Sequence, residues 1–456
     1  MRLRKLLLIT MLIRLTAPAQ TAQELCNNGH EYYTANNYTE AVKCFKKAIE
    51  LGDTIAIAQY NLGICYYNGN GVTKNYTEAV KCFQKAAEQG YALAQHNLGA
   101  CYYFGHGVPK SISNAAKWIR KAAEQGDANA QHSLGELYEK GEGVKKNYVE
   151  AIKWYKKSAE QGNSYAQYCL GVLYEKGKGV KKNYKKAFEW YLEAAFYGKH
   201  PDALYNLGNC YYNGNGVEKS LGSALYWYER AAEEGHTDAQ IKCGDLYIET
   251  GKKESDYKNA IKWYSKAANE GNVKAQTSLA KCYYEGAFSV ISAKWECRIF
   301  PDYKKAVSWF KKAAEKEDSE ALYYLGECYI EEHGVSKDFK QAMFFYTKAA
   351  EQGHTEAQFR LGEIYFRSLD DYSKAIYWYK KAANKNHGNA QYMLGRCYEE
   401  GKGVSKNKSI SKQWYNKASK NNSSYSKWGE EDIDHPLNDI YLDTYYKYKD
   451  IIDILY

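Results

Sequence analysis

Proline is nearly missing from this chain, with five residues in 456, so helices can run from turn to turn unbroken. Long apolar runs are missing too: outside Leu6–Ile13, no stretch approaches the ~20 apolar residues that cross a bilayer, and no transmembrane span is expected. No two of the twelve cysteines lie closer than fifteen residues (297 minus 282), which excludes Cys-x-x-Cys zinc and redox motifs. His-Glu-x-x-His, Gly-x-Ser-x-Gly and Gly-x-x-x-x-Gly-Lys-Ser/Thr are absent, so no catalytic residue, cofactor or metal is expected. A strong charge excess is lacking as well. The balance is 63 Lys+Arg against 54 Asp+Glu, a net +9. Pairs such as Lys46-Lys47 and Lys156-Lys157 read as solvated outer faces, and no nucleic-acid partner is expected.

What the chain does have is a repeat. A marker leucine, usually in Leu-Gly, recurs at Leu62, Leu98, Leu134, Leu170, Leu207, Leu279, Leu325, Leu361 and Leu394, and Cys243 stands in for one copy. Counting back 34 from Leu62 reaches Asn28-Gly29 and a further unit, which makes eleven. Within a unit, Ala58, Leu62 and Tyr66 fall on one helical face, and Gly63 beside them leaves room for a neighbouring helix. Gly69-Asn70-Gly71-Val72 makes the turn. Ala79, Cys82, Phe83, Ala86 and Ala87 carry the apolar face of a second helix, which Gly90 closes. A helical hairpin of this kind covers its apolar face only by stacking on the next. The expected fold is therefore an all-α solenoid of about eleven helix–turn–helix repeats.

The unit closely resembles the Sel-1-like repeat, a relative of the tetratricopeptide repeat. The matching residues are Ala-Gln before Leu-Gly, Tyr66, Gly69-x-Gly71-Val72, Ala79, an aromatic three residues on, Ala86-Ala87 and Gly90. That aromatic is Trp118, Trp154, Trp190, Trp227, Trp263, Trp309, Trp378 and Trp414 in eight units. The first unit, Gly29 to Asp53, lacks the glycine loop and looks more like an ordinary tetratricopeptide repeat. The resemblance implies a right-handed α-solenoid and a non-enzymatic scaffold or adaptor that holds a protein or peptide partner in a concave groove.

By the same resemblance, exposed groove positions lie two before, two after and five after the marker leucine. The groove residues expected are Tyr60, Tyr67, His96, Tyr103, His132, Tyr168, Tyr205, Tyr212, Tyr323, Phe359 and Tyr392, with acids such as Glu136, Glu139, Glu175, Glu327 and Glu363 toward the middle and end. Tyrosine suits peptide recognition through its large contact area and polar tip. His96 and His132 share a position that is tyrosine elsewhere, so they read as groove residues and not as a metal pair. The alternative is a secreted β-lactamase-like or penicillin-binding member of the family. Such members pair cysteines at the positions that Ala87 and Gln95 fill here.

In chain order, residues 1–22 have the layout of a secretory signal peptide: Arg2, Arg4 and Lys5, then Leu6–Ile13, then Ala17-Pro18-Ala19, with cleavage after Ala19 or Ala22. Export to the periplasm or medium is the expectation, with a cytoplasmic location as the alternative. Residues 23–420 read as one elongated repeat domain with an insertion near 287–301 that folds back onto the repeats. Residues 421–456 read as a tail that ends in a capping helix. Cys65, Cys101, Cys210, Cys282, Cys328 and Cys397 share one repeat position that other units fill with leucine or isoleucine, so they read as buried free thiols. Oligomeric state is left open by the sequence.

Overall fold

The computed structural model describes residues 21–52, 56–198, 200–251, 253–289, 297–421 and 423. The leader before Thr21, residues 290–296 of the insertion and the tail beyond Ser423, with its expected capping helix, lie outside the described residues. The chain forms two compact units, one ending at Glu234 and one beginning at Gly235.

In the unit ending at Glu234, six helical hairpins follow one another. They are α1 (Ala22–Thr34) with α2 (Tyr38–Leu51), α3 (Ala56–Asn68) with α4 (Tyr76–Glu88), α5 (Ala92–Phe104) with α6 (Ile112–Glu124), α7 (Ala128–Lys140) with α8 (Tyr148–Ala159), α9 (Ser164–Lys176) with α10 (Tyr184–Gly198), and α11 (Pro201–Asn213) with α12 (Leu221–Glu233). The unit beginning at Gly235 adds five: α13 (Thr237–Thr250) with α14 (Glu254–Asn269), α15 (Val273–Glu285) with α16 (Tyr303–Ala314), α17 (Ser319–Ile330) with α18 (Phe339–Glu351), α19 (Thr355–Arg367) with α20 (Tyr372–Ala383), and α21 (Gly388–Glu400) with α22 (Lys408–Lys420). Within each unit every second helix packs on the first helix of the next hairpin, the solenoid arrangement expected. Among the described residues, the one departure from helix is a short antiparallel ribbon in the insertion, β1 (Ala287–Ser289) with β2 (Cys297–Ile299), in the register Ala287↔Ile299. β2 lies against α14, so this part of the insertion does fold back.

The local signals act as their chemistry dictates. Second helices start where a short polar side chain caps the exposed backbone N–H groups: Asn75 accepts from Glu78 N, Ser111 from Asn114 N and Asn147 from Glu150 N. Several first helices stop at glycines in the left-handed region, such as Gly141 at φ 79 and Gly214 at φ 76. Glu332, which replaces the first loop glycine, adopts the same conformation at φ 59.

The marker leucines form the core, with Leu98, Leu134 and Leu170 fully buried; each contributes roughly 1.5–3 kcal/mol relative to exposure. The glycine after each lets a second-helix side chain lie directly on first-helix backbone. A Cβ on Gly135 would sit 2.6 Å from the Tyr155 ring. Buried glutamines pin one hairpin to the next. Gln131 Nε2 donates to the Ala123 carbonyl (3.1 Å), and its Oε1 accepts from Gln161 Nε2 (2.8 Å).

Candidate functional site

The first-helix positions expected to be exposed are mostly half-buried: Tyr60, Tyr67, His96, Tyr103, His132, Tyr168, Tyr205, Tyr212, Tyr323 and Tyr392 all fall in this class. Phe359 is buried, as are Ile330, Glu363 and Phe366 at the other expected groove positions. The cause is contact between hairpins. The residue two before the marker leucine packs on the residue that opens the next hairpin: Tyr60 on Tyr91 (ring centroids 5.2 Å), Tyr168 on His200 (4.8 Å), Tyr323 on His354 (4.7 Å) and Phe359 on His387 (4.6 Å). Much of the tyrosine content of this face is therefore structural.

The acids of this face are occupied as well. In seven hairpins the second helix packs a tyrosine against the first, buried in all but Tyr415, and its hydroxyl donates to a polar side chain two or five residues after the marker. These pairs are Tyr155 with Glu139 (2.9 Å), Tyr191 with Glu175 (2.6 Å), Tyr228 with Asn209 (2.8 Å), Tyr264 with Asp245 (2.8 Å), Tyr346 with Glu327 (2.7 Å), Tyr379 with Glu363 (2.5 Å) and Tyr415 with Glu399 (2.7 Å).

The other four hairpins place Phe45, Phe83, Ile119 or Phe310 at the same position. Each of these instead carries a tyrosine five after the marker, which reaches the middle residue of the next hairpin's Gly-x-Gly loop or its counterpart. The pairs are Tyr33 with Asn70 (3.0 Å), Tyr67 with His106 (2.9 Å), Tyr103 with Glu142 (2.6 Å) and Tyr284 with His333 (3.2 Å). A buried hydroxyl without a partner is costly, so the residue types change together from one repeat to the next. That co-variation is visible in the sequence and was not read from it.

Between α5 and α7 lies a cleft of about 350 Å³ lined by His96, Ala100, Tyr103, Phe104, Ile119, Ser133, Glu136, Leu137, Lys140 and Glu142. It exists because Ile119 replaces the ring that other hairpins carry and Ala100 is the smallest residue at its repeat position. Ile119 and Leu137 make a buried apolar floor. Phe104 is 63% exposed at the mouth; it is the only apolar residue six after a marker leucine. His96 Nε2 meets Ser133 Oγ at 3.1 Å, and Glu136 pairs with Lys140 at 3.3 Å. Of the expected groove residues, His96, Ala100, Tyr103 and Glu136 share this cleft; Phe104 and Glu142 were not anticipated.

Burial holds the imidazoles of His96, His132, His200 and His354 below the usual histidine value, with nearby carboxylates such as Asp127 and Glu136 offsetting this only in part. The folded chain therefore prefers these rings neutral. Their contribution to stability is present in full above the unfolded histidine pKa of about 6.5 and falls as pH drops below it. Thermal unfolding at about pH 5.5 should come at a lower temperature than at about pH 7.5, and His96→Asn with His132→Asn should flatten that difference. An acid melting point equal to the neutral one would show that these rings do not couple to folding.

The eleven described cysteines are all free; eight are buried, and Cys44, Cys82 and Cys169 are half-buried. Burial pushes the thiols of Cys65 and Cys101 up to about 11 and those of Cys210 and Cys328 up to about 12, which leaves little thiolate for reaction. The side chain of Cys297 lies outside the described residues. At the two positions where the β-lactamase-like alternative would be expected to carry cysteines, Gln95 Nε2 donates to the Ala87 carbonyl at 3.1 Å. Among the described residues, no three His, Cys, Asp or Glu side chains gather around one metal-sized site, and no helix is long and apolar enough to cross a membrane.

The Sel1 repeat matches residues 56–91, 92–127, 128–163, 164–195, 201–236, 237–272, 273–318, 319–354, 355–387 and 388–423. The chain belongs to the Sel1-repeat family. A tetratricopeptide repeat matches residues 29–69, in keeping with the divergent first unit. The Sel1 repeats here are similar to those of a protective antigen of uropathogenic Escherichia coli with an SLR fold. Identity is 32%, over 95% of this chain and 94% of that one, with a TM-score of 0.75. The chain is also similar to a Sel1 repeat protein of Oxalobacter formigenes at 37% identity, over 54% of this chain and 99% of that one, TM-score 0.50. No match was found among curated proteins. The Sel1-repeat fold is typical of protein-interaction scaffolds.

Proposed function

We propose that this Sel1-repeat chain is a non-enzymatic scaffold that holds a protein or peptide partner against its first helices, with the cleft at His96 and Tyr103 as anchor. The observation that carries this reading is the exposed Phe104 beside an apolar floor of Ile119 and Leu137. An apolar side chain entering there would gain roughly 25 cal/mol for each Å² it buries, while Ser133, Glu136 and Lys140 offer polar contacts that orient it. The enzyme-like alternative draws no support from the positions that would carry its cysteine pairs, since Ala87 and Gln95 stand there in a hydrogen bond.

The leader pattern of residues 1–22 supports export of the scaffold. Cleavage after Ala19 would keep Thr21, whose hydroxyl caps α1 by accepting from Glu24 N at 3.2 Å; cleavage after Ala22 would remove it.

A photo-reactive side chain at Ala100 should trap one discrete partner from the source cells, with the yield falling about tenfold or more when Phe104→Ala removes ~2 kcal/mol of anchoring. The same group at Val149, which is 62% exposed on α8, should trap none. Equal trapping from both positions would sink the cleft as the anchor.

A further inference from the structure

A second feature of the unit ending at Glu234 stands apart from the first-helix cleft. Where the loop after α7 crosses the start of α6, a cleft of about 460 Å³ is lined by Ser113, Ala116, Lys117, Trp118, Arg120, Lys121, Gly143 and Val144. It presents three cations and no carboxylate, and Lys145-Lys146 follow directly on the loop. Lys117, Lys121, Lys145 and Lys146 are all exposed, and none has a carboxylate partner within 4.0 Å among the described residues. The next hairpin repeats the arrangement with Lys153, Lys156 and Lys157 on α8 and Lys181-Lys182 on its following loop. Of these only Lys153 is paired, with Glu150 at 3.8 Å. No other hairpin combines three cations at these helix positions with a lysine pair in the following loop.

The local field is positive enough to act on a neighbour. Lys146 beside Tyr148, and then Lys178, hold its phenol below the usual tyrosine value. Corresponding loops of the other unit differ: Glu331, Glu332 and Asp338 accompany Lys337, Asp370-Asp371 replace a loop outright, and Lys402 of the last loop is paired with Glu400 at 2.8 Å.

We propose that this patch docks an acidic protein segment, with carboxylates seated between α6 and the loop after α7 and again one hairpin further on. Successive hairpins lie on the order of 10 Å apart, which a polyproline II segment, rising about 3.1 Å per residue, spans in one three-residue turn that returns the side chain to the same face. A segment with an acid at every third position therefore meets one basic cluster per hairpin. The aromatic faces argue against a nucleic acid, because cations already cover them. Lys121 lies over Trp118 at 4.3 Å and Lys157 over Trp154 at 4.5 Å, so bases would find no open ring to stack on. The cations are almost all lysine, and the one arginine, Arg120, already donates to the Tyr138 hydroxyl at 2.9 Å. Lysine ammoniums are point charges without the planar fork that grips a phosphate from two sides.

The test is a titration of the full chain into a fluorescein-labelled peptide with glutamate at every third residue, followed by anisotropy. Saturable binding is expected that weakens as salt rises. It should fall about tenfold or more in the triple variant Lys117→Glu, Lys121→Glu, Lys145→Glu. A matched triple reversal in the other unit, Lys262→Glu, Lys266→Glu, Lys337→Glu, should leave it unchanged, and circular dichroism should show both variants folded. Absence of saturable binding by the unaltered chain would overturn the proposal. So would an equal loss in the matched variant, which would mean bulk charge only, or displacement by single-stranded DNA at lower concentration than by unlabelled peptide. Phe104→Ala leaves this patch intact and should leave the titration unchanged.

Discussion

Gly143→Ala should lose about 3 kcal/mol or more of stability, while Gly126→Ala, at the end of the preceding repeat, should lose only about 1–2 kcal/mol. Both glycines have positive φ, 66° at Gly143 and 98° at Gly126, so both substitutions force an L-residue into a conformation it disfavours. The surroundings separate them. A Cβ on Gly126 has nothing within 4 Å, whereas on Gly143 it would stand 2.5 Å from the Ile112 carbonyl oxygen and 3.1 Å from the Ala116 Cβ. The obstacle at Gly143 is backbone of the preceding hairpin, which cannot step aside like a flexible side chain. The loop would have to lift off α6. Denaturant titration gives the two stabilities, and hydrogen exchange should show protection lost first between α6 and the loop after α7. Equal losses for the two variants would mean that φ strain alone governs these glycines and that the inter-hairpin contact contributes nothing.

Glu363→Leu should cost about 2–4 kcal/mol, and Tyr379→Phe added to it should restore about 1–2 kcal/mol. Tyr379 is fully buried and donates to Glu363 Oε1 at 2.5 Å, while the other carboxylate oxygen accepts from Arg367 at 2.7 Å. Replacing the carboxylate strips the hydroxyl of its acceptor inside the core, and removing the hydroxyl relieves that penalty. The chain already contains the relieved combination: Phe83 faces a hairpin with Ile64 two after its marker, and Ile119 faces one with Ala100. A double-mutant cycle by denaturant titration measures the coupling. Simple additivity of the two substitutions would show that the hydroxyl and carboxylate do not depend on one another.

The fold was legible because its determinants are local and repeated. Leu-Gly spacing, the Gly-x-Gly turns and the Ala-Ala faces each state their role within about forty residues, and eleven copies average out exceptions such as Cys243 or Glu332. The short ribbon between Ala287 and Ile299 was not legible, since its apolar residues fit a strand and an irregular return equally well.

The candidate site was read less well, for a physical reason. A resemblance can say which way a side chain points, as it did for Tyr60 or Phe359, and still miss how far the neighbouring hairpin covers it. Glu139 and Glu363 looked like groove charges because their acceptor role depends on a tyrosine sixteen residues later in chain order. The α5–α7 cleft arises from two small residues, Ile119 and Ala100, and the space such residues leave has no motif of its own.

The two ways of satisfying a tyrosine hydroxyl also bear on how a chain of this kind gains and loses repeats. A hairpin such as α9–α10 closes its own hydroxyl with its own Glu175, so duplicating or excising it disturbs no hydrogen bond of that type next door. A hairpin such as α5–α6 depends on Glu142 from its successor and strands Tyr103 if that successor is exchanged for one without an acceptor. Copy number is therefore free to drift where the pairing is internal and is held where it crosses the boundary, so the Tyr–Glu hairpins are the natural points of insertion and deletion along the array.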